Sequence, residues 1–324
     1  MFKKFGKGSG LKKRWNRGLI ARMAVVCLVC LSGRASAQQQ FSYTQYADNL
    51  TPINPAWSLT RPRGEVNMLG RKQWVGIDGA PSTYMLNGFV PLNSIGATVG
   101  AFLMKDKVAI EDLSEFNAFF AKSIALDENL YLAVSLNGGF RKYDAAYSAL
   151  DPNDPVVQNS DIHETEANMG ASVMTYIPGR FFAGISLPRL SIQDLAKASV
   201  SSSRHYKKFY YLTAGFEQAL SDGIQFRSSA LVAYTANVPL QADVSFKTYF
   251  METVGLGLNY RSNNELAALA SVNINNTFKF GYSYQFGFGA TKITGLSKPT
   301  HEITLGVAFG EISDKFSNSS NVRY

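Results

Sequence analysis

From Glu65 onward, apolar and polar residues alternate with period two in segments of about 8–12 residues. Fourteen such segments are read, at 65–73, 84–91, 95–106, 113–125, 130–143, 166–177, 180–187, 208–219, 224–234, 240–249, 252–260, 265–274, 277–285 and 302–309. In the fifth, Ala133, Ser135 and Asn137 face one way, and Leu132, Val134 and Leu136 the other. In the tenth, Gln241, Asp243, Ser245 and Lys247 oppose Leu240, Ala242, Val244 and Phe246. One apolar and one polar face suit a strand between lipid and a lumen. A soluble sandwich has the same period, so alternation alone leaves both open.

The connections separate the two. Those after even-numbered segments are short and carry turn residues, as in Asp127-Glu128-Asn129, Pro178-Gly179, Ser221-Asp222-Gly223 and Asn275-Asn276. Those after odd-numbered segments are mostly longer, including 74–83, 144–165, 188–207 and 286–301. Strict alternation of short turns and long loops is the mark of an outer-membrane barrel. In lipid every backbone N–H and C=O needs a partner, which forbids an open edge. The expected fold is therefore all-β: a transmembrane antiparallel β-barrel of the outer-membrane type with about 14 strands over 65–309, both ends periplasmic. Phe119, Phe120, Phe181, Phe182, Phe209, Tyr210, Tyr211, Phe286 and Phe288 are expected in interfacial aromatic girdles.

The flanks read differently. Residues 1–37 hold nine basic residues and no acid, an apolar run Met23–Leu31 too short for a spanning helix, and then Ala35-Ser36-Ala37. That is a signal peptide, cleaved after Ala37, with the bacterial outer membrane as destination. The formal charge of +8 belongs to it, since the remainder has 23 basic against 24 acidic residues; this argues against nucleic acid as a partner. Cys27 and Cys30 leave with it, so disulfides and thiolate chemistry are excluded from the exported chain. Residues 38–64, broken by Pro52, Pro55 and Pro62, form an N-terminal periplasmic or plug segment, and 310–324 a polar tail.

Little in the chain points to catalysis. His163, His205 and His301 fall in or beside long loops, without the third group that would hold a base against a nucleophile. Asp151, Asp154, Asp161, Glu164 and Glu166 crowd the longest loop, without the glycine and spacing of a calcium loop. Gly287 and Gly289 have no following helix to bind a phosphate. The expectation is no enzyme, cofactor or metal. The segment Arg71–Pro81 stands out, with Trp74, two glycines and three charges; Gly76 and Gly79 permit positive φ and Pro81 stiffens the exit. It reads equally as an inward-folding or binding loop and as an ordinary extracellular loop.

That string, RKQWVGIDGAP, resembles the signature of the PorP/SprF family of Bacteroidota outer-membrane proteins, associated with type IX secretion. Phe41-Ser-Tyr-Thr-Gln-Tyr46 with Asn54-Pro55-Ala56 resembles that family's opening, Arg204-His205-Tyr206 with Tyr211–Gly215 its middle motif, and His301-Glu302-Ile303 the start of its last strand. Where the family commonly stops at an aromatic, here Phe309, fifteen further residues follow, ending in Tyr324. The resemblance implies a non-enzymatic barrel, an accessory or cargo-anchoring component that helps export or attach specific proteins such as adhesins, including those of gliding motility. The implied partners are cargo with a C-terminal secretion signal, other type IX components and outer-membrane lipid. Arg71, Lys72, Gln73, Trp74, Gly76, Asp78 and Gly79 are the expected partner-binding or loop-fixing residues. The alternatives are a passive porin-like channel and a membrane enzyme, the latter disfavoured by the histidines.

Overall fold

The computed structural model describes residues 42–150, 160–192, 207–287 and 298–312. The expected signal peptide 1–37, residues 38–41, Asp151, Asp154, His205, Phe288, Gly289 and the residues from 313 onward lie outside them. Fourteen strands are present among the described residues. They are β1 Gly64–Lys72, β2 Ser82–Leu92, β3 Ala97–Val108, β4 Glu111–Ala125, β5 Tyr131–Ala145, β6 Ile162–Ile177 and β7 Phe181–Ser191. Then follow β8 Tyr210–Ser221, β9 Ile224–Tyr234, β10 Gln241–Phe250, β11 Val254–Arg261, β12 Glu265–Ile274, β13 Phe278–Gly287 and β14 Thr300–Phe309.

Each strand pairs antiparallel with its sequence neighbours, and β1 pairs with β14 from Gly64↔Phe309 to Lys72↔His301, which closes the barrel. Closure removes the edge that lipid would leave without hydrogen-bond partners. The pleat sorts side chains as the alternation predicts. On β5, Ala133, Ser135 and Asn137 are buried while Val134 and Leu136 are exposed. On β10, Asp243, Ser245 and Lys247 are buried and Phe246 is exposed. The apolar exposed set faces lipid; the polar buried set faces a filled lumen.

Several expectations are corrected. β6 begins four residues earlier, at Ile162, and β7 runs on to Ser191. Short and long connections do not alternate strictly. At the long-loop end β3 and β4 are joined by Ala109 and Ile110 alone, and β11 and β12 by 262–264. Left-handed backbone at Ala109 (φ 51°) and Asn264 (φ 62°) makes these tight turns possible. At the other end Asn275 and Asn276 (φ 51° and 53°) supply the pair of positive φ angles that a type I′ hairpin needs. The girdle expectation is split by the pleat: Phe120, Phe181, Tyr210 and Phe286 are exposed, but Phe119 and Tyr211 are buried inside, and Phe182 and Phe209 pack against that interior. Adjacent strand residues must point to opposite faces. His163 and His301 lie on strands, outward, and Glu166 is a buried inward residue of β6 rather than part of an acidic loop.

One irregularity changes which residues share the lumen. Across β6 and β7 the register runs Ala171↔Leu187 and then Met169↔Leu190, so Pro188 and Arg189 together oppose Gly170. This β-bulge reverses the in–out parity of β7. Ser186 is inward before it; Arg189 and Ser191 are inward after it. Unbroken alternation would have aimed Arg189 at lipid.

Candidate functional site

The lumen holds the chain's own N-terminal segment. It cannot be a strand because Pro52 and Pro55 interrupt it, so it folds as two short 3-10 helices, Tyr46–Asp48 and Pro55–Thr60. Asn54 caps the second, its side-chain oxygen accepting the Ala56 N–H, with Pro55 where no N–H is needed. Tyr43, Tyr46, Leu50, Ile53, Trp57 and Leu59 are buried against inward apolar residues of the wall, among them Leu69, Phe89, Phe119 and Met174. These give the segment an apolar reason to lie inside a polar-walled barrel.

Polar bonds set its register. Glu302 of β14 accepts from the backbone N–H of Thr44 (2.9 Å) and of Gln45 (2.9 Å) and from the Arg71 guanidinium (3.0 Å). Arg71 of β1 also donates to Thr44 Oγ1 (2.8 Å) and Gln285 Oε1 (3.0 Å), and the Thr44 hydroxyl donates to that same Gln285 oxygen (2.9 Å). Arg71 and Glu302 side chains are 2% and 0% exposed, so the pair has little help from water. A buried charge is costly unless it is paired and hydrogen-bonded, and here the segment supplies part of that partnership.

Further along, Asp48 accepts from Lys247 Nζ (2.6 Å) and the Tyr249 hydroxyl (2.8 Å) of β10. Burial favours the protonated form of Asp48, but the Lys247 ammonium and these bonds outweigh it and hold the carboxyl well below the usual range. The Tyr46 hydroxyl lies 3.1 Å from the carbonyl oxygens of Ser229 and Asp243. The Asn49 amide donates to Asn87 (2.7 Å), the Ser186 hydroxyl to the Ile53 carbonyl (2.7 Å), and the Ser58 and Thr98 hydroxyls meet at 2.6 Å.

The wall itself is cross-linked by charge. Arg189, turned inward by the bulge, donates through Nε to both oxygens of Glu115 (2.7 and 2.8 Å). Arg261 joins Asp243 (2.6 Å) and Glu265 (3.2 Å). At the short-turn end a cavity of about 160 Å³ lies beside Trp57, Arg61, Arg227 and Lys279. These groups are engaged in holding chain to chain.

The residues expected at the distinctive string divide by position. Arg71 is inside, in the Glu302 knot, whereas Lys72 ends β1 facing outward and bonds the Ala80 carbonyl (3.1 Å). Gln73, Trp74, Gly76, Asp78 and Gly79 lie in the connection to β2. It is tied down at three places: the Gln73 N–H to Pro81 O (2.9 Å), the Val75 N–H to Pro299 O (3.0 Å), and the Ala109 N–H to Gly79 O (2.9 Å). Gly76 and Gly79 have φ of 93° and 72°, and Trp74, unusually for a bulky residue, 45°. Asp78 and Gly76 are exposed, Gln73 and Trp74 half-buried.

A sequence profile described as the type IX secretion system membrane protein PorP/SprF matches residues 35–307. The chain belongs to the PorP/SprF family. It is thus a membrane barrel of a secretion system, in the outer membrane. No curated protein matches it. Among solved structures it is similar to the CymD monoaromatic hydrocarbon channel, at 12% identity over 87% of this chain and 97% of that one, with a TM-score of 0.49. It is also similar to the P. putida toluene transporter TodX, at 8% over 84% and 95%, TM-score 0.45. An outer membrane protein of Acinetobacter baumannii matches at 8% over 76% and 98%, TM-score 0.46.

The PorP/SprF resemblance rests on strings far apart in sequence, and the fold brings three of them together. Thr44 and Gln45 from the opening, Arg71 from the central string and Glu302 from the last strand form one hydrogen-bonded knot. Sequence reasoning named Arg71 as a site residue but missed Glu302, Gln285, Asp48, Lys247 and the Arg189–Glu115 pair. The available signal was an acid or a base at an inward position of a period-two strand, which shows that a charge enters the lumen but not what it meets.

Proposed function

We propose that this PorP/SprF barrel is an accessory or cargo-anchoring component of type IX secretion, helping export or surface attachment of specific proteins such as adhesins, and that it works through its surfaces rather than through an open pore. The observation that carries this reading is the lumen filled by residues 42–63 and bonded through Glu302, Arg71, Asp48 and Lys247. A barrel whose interior is occupied by its own buried chain is a scaffold, and its partners meet its ends. At the long-loop end, the tied segment around Trp74, with Gln73, Gly76, Asp78 and Gly79, presents a preorganised surface for cargo bearing a C-terminal secretion signal; Lys72 and Arg71 fix its root. At the short-turn end, periplasmic type IX components have access. Removal of residues 1–37 precedes insertion.

The test is a surface and secreted proteome of the native host after gene deletion. Loss of one or a few large surface proteins, restored by the wild-type gene, supports cargo anchoring; retention of all type IX cargo inside the cell makes the barrel a core component. An unchanged proteome together with steady conductance of the purified barrel in a planar bilayer overturns the proposal in favour of a passive channel.

A further inference from the structure

On the outward face of β1–β5 and β14, the cross-strand register lines side chains up in rows that run across the tilted strands. One row reads Ile303, Gly70, Tyr84, Lys105, Ser114, Lys142. The row beneath it, toward the membrane centre, is apolar and includes Leu103, Phe116 and Phe140. The row above is the charged rim, with Lys72, Lys107, Asp112 and Asp144. Gly70 and Ser114 are small residues among large ones. They leave a groove of about 710 Å³ on the lipid-facing surface, walled by Tyr84, Phe116 and Phe140 and topped by Lys105 and Lys142.

We propose that this groove is a binding site for one phosphorylated lipid of the outer leaflet, an acyl chain lying in the groove and the phosphate held between Lys105 and Lys142 over the Ser114 hydroxyl. Lys105 and Lys142 are both directly opposite Ser114, one on each neighbouring strand, so their backbones stand about 10 Å apart and their ammonium groups can converge on one phosphate. Their side chains are 59% and 55% exposed, each beside a single carboxylate, Asp112 at 3.0 Å and Asp144 at 2.8 Å. Asp144 is shared with His163 (2.7 Å). Four outward lysines, 72, 105, 107 and 142, therefore face two carboxylates over these two rows, and the surplus is positive. Clustered lysines at headgroup depth recruit anionic lipid, while apolar surface just below favours an acyl chain over water. The choice of outer leaflet rests on the short-turn end being periplasmic, which the family's membrane and the position of both barrel ends support.

The test uses the exported chain folded in detergent micelles, titrated in native mass spectrometry with phosphorylated lipid A, the same lipid after phosphate removal, and inorganic phosphate. Retention of one phosphorylated lipid per barrel is expected, with the dephosphorylated lipid held at least tenfold less. Lys105→Gln with Lys142→Gln should weaken retention roughly 30-fold, about fivefold per lysine. Gly70→Leu, which fills the groove without touching charge, should weaken it too; Lys122→Gln, an outward lysine at the opposite end of β4, should not. Heat-modifiable gel migration confirms that each variant is folded. Equal retention of both lipids, an unaltered double variant, or binding of inorganic phosphate without the lipid would each overturn the proposal.

Discussion

The Glu302 knot can be tested by a substitution that keeps shape and removes charge. In Glu302→Gln, one oxygen replaces two that now accept three donors, from Thr44 N, Gln45 N and Arg71. The new amide NH₂ meets a donor on at least one side, and Arg71 keeps a buried charge with only Thr44 and Gln285 oxygens near it. Removing one member of a buried, hydrogen-bonded ion pair costs about 3–5 kcal/mol. At about 1.4 kcal/mol per factor of ten, the released population of the lumen segment rises between two and four orders of magnitude. The strands keep their ladders, so the loss is local. Hydrogen exchange of the micelle-bound barrel reads this directly: protection of the Thr44 and Gln45 amides should fall by that factor while β3–β5 amides stay unchanged. Unchanged protection at Thr44 and Gln45, or a loss spread evenly around the barrel, would refute the claim that this knot fixes the segment.

Other expectations follow from the same geometry. Because the Asp48 carboxyl is held below its usual range, its contribution to segment attachment is complete above about pH 4 and is lost as pH falls further; exchange of amides 46–50, corrected for intrinsic rate, should be flat from pH 7 to 5 and rise below pH 4, and Asp48→Asn should abolish that dependence. Arg189→Met leaves the buried Glu115 without its bidentate partner, which costs about 3–5 kcal/mol; a drop in the urea midpoint of folding into vesicles, absent in the exposed control Lys122→Gln, checks it. Gly79→Val places a β-branched residue at φ 72° against Ala109, a backbone cost of about 1–3 kcal/mol; protease access to the Gln73–Pro81 connection should increase while the barrel stays heat-modifiable.

The strands were legible because their signal is local. Period-two alternation and the Asn, Asp and Gly of short turns depend on residues near one another, and fourteen segments with both features define an up-and-down barrel before any contact is known. Family membership was legible for a related reason: RKQWVGIDGAP and its companion strings can be matched without a structure. Where local reasoning failed, a non-local choice had been made. The two-residue turn at Ala109 and Ile110 departs from the expected loop alternation, and Phe119 and Tyr211 face the lumen rather than the expected girdle because adjacent aromatics on a strand point to opposite faces.

What the sequence determined by itself is the class of fold, the strand number, the proline-broken nature of residues 38–64 and the family. What only the tertiary structure decided is what occupies the lumen and which charges meet there. Arg71 stands next to a connecting segment in sequence but points into the barrel; Thr44 and Glu302, 258 residues apart, meet only because β14 closes on β1. Arg189 reaches Glu115 only because one extra residue in β7 reverses its parity. Alternation states that a side chain leaves the lipid; closure and register, set by all fourteen strands together, choose its partner.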